Sequence, residues 1–167
     1  MKQKILLLFF SILLSCSLYA QKEANWWFFG AGNSLDFNNT ATINDNQGNP
    51  TDRMPLAGTG TIYSGEGCFS LSDVDGNLMM YSDGMTIWDK SQDIMPNGSG
   101  LYGGSSSTQS GIIVPYPGDP NKYYAISVAE IRGNRGITYS VVDMTLNNNK
   151  GDVVSTQKKS NTQTRSN

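Results

Sequence analysis

The stretch DVDGNLMMYSDGMTIWDK, residues 73–90, gathers the oxygen ligands and carboxylates that could do chemistry. Asp73, Asp75 and Asn77 stand at the first, third and fifth positions of a calcium loop. Such a loop needs Gly at its sixth position for a sharp turn and a bidentate Glu at its twelfth. Here those positions hold Leu78 and Gly84, so the coordination sphere does not close. Asp75-Gly76-Asn77 reads instead as a hairpin turn that tolerates positive φ.

Asp83 with Asp89, or Glu66 with Glu130, would supply the pair of acids that glycosidic cleavage requires. The two must flank a cleft at a defined separation, and Asp-Gly at a strand end is usually a turn. No catalytic residue is assigned. Cys68, in the alternating GEGCFSLSD, reads as a small buried side chain. A nucleophile would need a base, and the chain has no His, which also removes the commonest transition-metal ligand. No cofactor and no metal is assigned. Trp26, Trp27 and Trp88, with Tyr63, Tyr81 and Tyr102, are candidates for a sugar-stacking platform, although aromatics in short strands more often fill space between sheets. Neighbours on a strand point to opposite faces, so one ring of the pair Trp26-Trp27 is expected in solvent and the other in the core.

The elements that must position these groups are short strands. Eighteen Gly, repeated Asn-Gly and Asp-Gly steps, and runs rich in Ile, Val, Tyr and Phe predict an all-β chain. Candidate strands are Trp26 to Gly30, Leu35 to Phe37, Cys68 to Ser72, Leu78 to Ser82, Thr86 to Asp89, Gly111 to Pro115, Tyr123 to Val128 and Ile137 to Met144. Asn38 to Gly60 reads as one long surface loop, and PNGSGLYGGSSSTQS as a second. The series in CFSLSDVDGNLMMYSDGMTIWD recurs in GIIVPYPGDPNKYYAISVAEIRGNRGITYSVVD, with Ser82 and Ser127 corresponding. That spacing is a propeller blade's, roughly 40–45 residues.

With 167 residues, 38% apolar and 16% charged, the chain is one domain's worth of foldable sequence. Twelve basic and 14 acidic residues leave a net charge of −2 without a long run of either sign, so nucleic acid is not an expected partner. Residues 1–20 read as a signal peptide: Lys2 and Lys4, an apolar run too short to span a bilayer comfortably, then cleavage between Ala20 and Gln21. The competing reading is a lipoprotein processed at Cys16. Export to the extracellular space or outer cell surface follows, with no membrane span in the mature chain. A start at Gln21 leaves Cys68 without a disulfide partner. The domain is expected over 21–154, and 155–167 is expected to be a disordered tail.

The ordered motifs NWWFFGAGNSLDF, EGCFSLSDVDGNLMMYSDGMTIWD, MPNGSGLYG, SSTQSGIIVPYPGDPNKYYAIS and ITYSVVDMTLN, over residues 25–152, carry a resemblance. The chain resembles the N-terminal propeller (WD40-like) region of large secreted proteins of gliding and related Bacteroidetes. Those commonly end in a type IX secretion sorting domain, often after PKD-like repeats. The resemblance implies a partial β-propeller of about two blades, cut off before the further blades of the family. It implies a noncatalytic secreted or cell-surface module that binds extracellular protein or glycan within a larger adhesin-like or gliding/secretion-associated protein. The alternative is a fragment of a propeller enzyme, a hydrolase or quinoprotein-like oxidoreductase. An incomplete set of blades also implies self-association through an open blade face.

Overall fold

The computed structural model describes residues 22–131 and 135–161. The expected signal peptide, its expected Ala20/Gln21 junction and Cys16 lie outside the described residues. The described chain is all-β: eleven strands in three antiparallel sheets, with a 3-10 turn at Ser155–Gln157 and no α-helix. No helix among the described residues is long and apolar enough to cross a membrane.

Sheet one joins β1 (Trp26–Phe29), β2 (Ala31–Asn44) and β3 (Pro50–Tyr63) in that order. Sheet two joins β4 (Phe69–Ser72), β5 (Leu78–Ser82) and β6 (Ile87–Asp89), and Ile94 adds a single bridge to Trp88. Sheet three runs β7 (Gly111–Pro115), β8 (Lys122–Val128), β9 (Ile137–Asp143) and β10 (Asp152–Val153), with β11 (Ser160–Asn161) also on β9. The sequence repeat appears as two meanders. Ser82 lies opposite Phe69 and Ile87, and Ser127 lies opposite Gly111 and Thr138. Both serines are buried at the same place in their meanders. There are three sheets rather than about two, and they form no closed barrel or propeller.

The additional sheet corrects the long loop expected at 38–60. Those residues form most of a β2–β3 ribbon turned at Asp45–Asn49. Few of its far residues are buried, so the chain there carries Thr and Asn and lacks the apolar alternation that marks a half-buried strand. A register shift between Asp36 and Thr40 marks a bulge. Asp36 secures it by accepting from the Asn38 backbone N–H at 2.8 Å and the Asn39 amide at 2.7 Å. Pro50 begins its strand and Pro55 pairs beside the bulge, the places a sheet tolerates a missing N–H.

The expected tail is ordered as far as Asn161. β10 pairs with only the last part of β9, which leaves ladder positions at Thr138 and Tyr139 for β11. The Lys159 N–H donates to Ser140 Oγ at 3.1 Å beside them. The remainder of the tail lies outside the described residues.

Sheet two is the middle layer. Successive residues on a strand face opposite ways, and both faces of β5 are covered: Tyr81 turns to sheet one and Met80 to sheet three. Between sheets one and two the rings of Phe28 and Tyr81 stack at 3.8 Å, Tyr81 on Trp88 at 5.3 Å, with Ile62 beside them. The Tyr81 hydroxyl is satisfied by Thr61 Oγ1 at 2.7 Å. Between sheets two and three lie Met80, Ile87, Met95, Leu101, Ile113, Ala125, Val142 and Val153. Gly111 permits this approach: a Cβ there would stand 2.0 Å from the Ile126 carbonyl oxygen and 2.6 Å from the Phe69 ring.

Candidate functional site

β1 and β4 lie side by side without pairing in a ladder. The carbonyls of Trp26 and Phe28 turn toward β4, where Ser70 Oγ and Cys68 Sγ donate to them, and the Ser72 N–H donates to the Glu23 carbonyl at 2.8 Å. The strand edge is thus capped by side chains. A groove of about 360 Å³ opens here, lined by Ala24, Trp27, Phe28, Phe29 and Phe69, with Cys68 and Ser70 between them.

Trp27 is the groove's most prepared group. Its ring is 53% exposed, stands 5.2 Å from Phe37, and is fixed by its own N–H donating to the Ala24 carbonyl at 2.9 Å. Phe29 is exposed on the same strand face. Such a surface binds flat apolar faces, of a sugar ring or of another side chain, at little cost in side-chain order. None of the groove's lining residues is a carboxylate. Burial pushes the Cys68 thiol up, and Asp83 adds to the rise, so the sulfur stays protonated and serves as a donor.

The other proposed ring sites fall elsewhere. Trp88 is 8% exposed and belongs to the aromatic stack, which corrects its reading as a binding residue. Trp26 is half-buried against Phe28 at 6.1 Å. Tyr81 is fully buried, Tyr63 stands exposed at 80%, and Tyr102 lies under two cations in the loop before β7. The pair Trp26-Trp27 divides between core and solvent as strand alternation requires.

The carboxylates serve turns. Asp83 Oδ1 accepts from the Met85 and Thr86 N–H groups, at 2.8 and 2.7 Å. Asp89 Oδ1 accepts from Ser91 and Asp93, and Glu66 accepts from the hydroxyls of Ser106 and Thr108. Glu130 packs against Gly104. The calcium-like Asp73 accepts from the N–H groups of Asp75 and Asn77, both at 2.9 Å, with Gly76 at φ 90. Burial pushes the Asp73 carboxyl up, but the Asn77 amide and the turn's N–H groups outweigh it and hold it below the ordinary value. The same construction recurs twice. Asp45 accepts from Gln47 and Asn49 with Gly48 at φ 84, and Asp89 accepts as above with Gln92 at φ 66. The shared pattern is Asp, two residues, a left-handed residue, then Asn or Asp. It is visible in NDNQGN and SDVDGN, and it would have located the β2–β3 turn.

A second cleft, of about 400 Å³, lies at the turn end of sheets two and three and has no counterpart in the sequence reading. Asn77, Lys90, Asn121, Thr145 and Asn149 rim it over Leu78, Met79 and Met144. Its one carboxylate, Asp73, is already taken by its turn. Among the described residues no group of three or more His, Cys, Asp or Glu could hold a metal ion. No family model, curated protein or solved structure matches the chain.

Proposed function

We propose that the chain is a secreted or cell-surface β-propeller module that binds glycan or protein without catalysis, within a larger adhesin-like or gliding/secretion-associated protein. The propeller reading is supported by successive antiparallel meanders stacked face to face, with β4 and β7 side by side at the start of consecutive sheets. The leader-like residues 1–20 support export. The observation that carries the binding reading is Trp27, an exposed ring locked by its own hydrogen bond over an apolar groove.

The test is titration of the exported chain with oligosaccharides and with extracellular proteins of its host, followed by Trp27→Ala. A loss of about tenfold or more in affinity, which is about 1.4 kcal/mol, is expected for a central aromatic contact. Undiminished binding by the variant removes the groove as the site.

The end sheets also support self-association. Trp27, Phe29 and Phe37 are exposed on sheet one, and Ile112 and Ile137 on sheet three beside the Tyr124–Tyr139 ring pair. Sedimentation should show association that grows with concentration. A monomer throughout would overturn it.

A further inference from the structure

The cations of the chain are unevenly matched. Lys122 pairs with Asp119 and Asp143, and Lys150 with Asp89 and Asp93. The other six described cations, Lys22, Arg53, Lys90, Arg135, Lys158 and Lys159, have no such partner: all 14 acidic side chains lie within the described residues, and none stands within 4.0 Å of these six. Glu130, the acid nearest Arg135 along the chain, packs on Gly104 instead.

What sets two of the six apart is that Arg135 and Lys159 are seated on one ring. The Arg135 guanidinium carbon lies 3.9 Å from the centroid of Tyr102, and Lys159 Nζ lies 4.7 Å from it. Both distances share one centroid, so the charges stand within a Debye length of each other, about 10 Å in 0.1 M salt. Each gains from the ring's negative face, yet they repel one another. At the next residue along the chain, burial pushes the Lys158 ammonium down, and the charge of Lys159 adds to that fall. Lys159 holds a left-handed backbone at φ 61, a conformation a non-Gly residue adopts at some cost. A solvated basic face would spread its side chains into water. Here an aromatic seat, a strained turn and partial burial hold like charges together.

The geometry points to an oxyanion site: Arg135 and Lys159, gathered at Tyr102, bind the carboxylate or sulfate groups of an acidic polysaccharide. The guanidinium offers a planar fork for two oxygens of one anion, and the Lys159 ammonium adds a point charge beside it. Tyr102 fixes the cations in advance, so less side-chain freedom is lost when the anion arrives. A polymer with an anion on each sugar engages the site repeatedly, which raises a weak single contact into useful retention. The choice of sugar polymer rests on the reading of an exported binding module, and it adds a second site, distinct from the Trp27 groove.

The test is binding of the whole chain to alginate and dextran sulfate, with neutral dextran, poly-glutamate and inorganic sulfate as comparison probes. The two acidic polysaccharides are expected to bind and neutral dextran not to bind. Affinity should fall steeply between about 50 mM and about 200 mM salt, as counterion release requires. Arg135→Gln with Lys159→Gln should weaken binding by about tenfold or more, and Arg135→Gln alone should weaken it, while Arg53→Gln, the same single charge change on the β2–β3 ribbon, should leave it unchanged. A thermal melt confirms that each variant is folded, and Arg135→Lys, which keeps the charge but loses the fork, should retain an intermediate affinity. Equal binding by the double variant and the parent overturns the site. So does capture of poly-glutamate without either polysaccharide, or binding of inorganic sulfate alone. Trp27→Ala in the same assay separates the two sites: loss there with intact binding in the double variant leaves the groove and removes the basic site, and the reverse pattern does the opposite.

Discussion

Sheets one and two have three strands each and meet opposite conditions. Sheet two lies between neighbours and buries both faces, so Met80, Tyr81 and Ile87 are fully enclosed. Sheet one has a neighbour on one face only, and Trp27, Phe29, Phe37 and Ile43 remain exposed along it. The lesson is that layer position, more than strand composition, decides how much each side chain contributes. Burial of apolar area is the dominant favourable term, and only the middle layer obtains it twice.

The comparison breaks most clearly at Tyr81. Tyr81→Ala removes a ring stacked on Phe28 and Trp88 and takes away one of the two partners of the Thr61 hydroxyl, so a loss of about 3–5 kcal/mol is expected from urea unfolding. A cost no greater than that of Trp27→Ala would show that the middle layer is not special. Gly111→Ala comes next. Its Cβ would overlap the Ile126 carbonyl and the Phe69 ring, and the strain of separating sheets two and three should cost about 1–3 kcal/mol in the same measurement.

Smaller effects belong to the turns. Asp73→Ala should cost about 1 kcal/mol at neutral pH, the scale of a lost cap. Asp73 and Asp45 both titrate below their ordinary value of 3.8 when folded, Asp45 chiefly through the Asn49 side chain. A lowered folded value means that the contribution is present above pH 3.8 and is lost as the pH falls through the folded value. The gap between parent and Asp73→Ala should therefore be full at pH 7 and close below pH 3.8, which unfolding at several pH values checks. The smallest expected effect is that of Trp27→Ala on stability, within about 0.5 kcal/mol, because the ring is already half in water. A larger cost would mean that the ring supports sheet one from outside.

The same contrast explains what could be read from the chain. All-β character, strands β4 to β9 and the turn at Asp73 were legible because buried strands carry dense apolar runs and turns carry Gly and Asp. LMMYS is such a run, with large side chains from Leu78 to Tyr81 since both faces are covered. The β2–β3 ribbon was illegible as a strand pair: TATIN and PTDRM face water, and nothing in their composition distinguishes a solvated strand from a loop. Of the candidate rings, alternation correctly divided Trp26 from Trp27. Trp88 could not be placed, because its burial depends on Phe28 and Tyr81, brought to it by two other strands. The seat of Arg135 and Lys159 on Tyr102 joins three segments distant in sequence, and no local pattern announces it.

The capping of β1 by Ser70 and Cys68 has a mechanical meaning. Sheets one and two are joined by side-chain donors and stacked rings, while within each sheet the strands are laced by backbone ladders. Tension along the chain should therefore part the layers before it unzips any one of them. Under a slow pull the molecule should lengthen in discrete steps, one sheet at a time, so that it absorbs load as a series of separate yields instead of one abrupt failure.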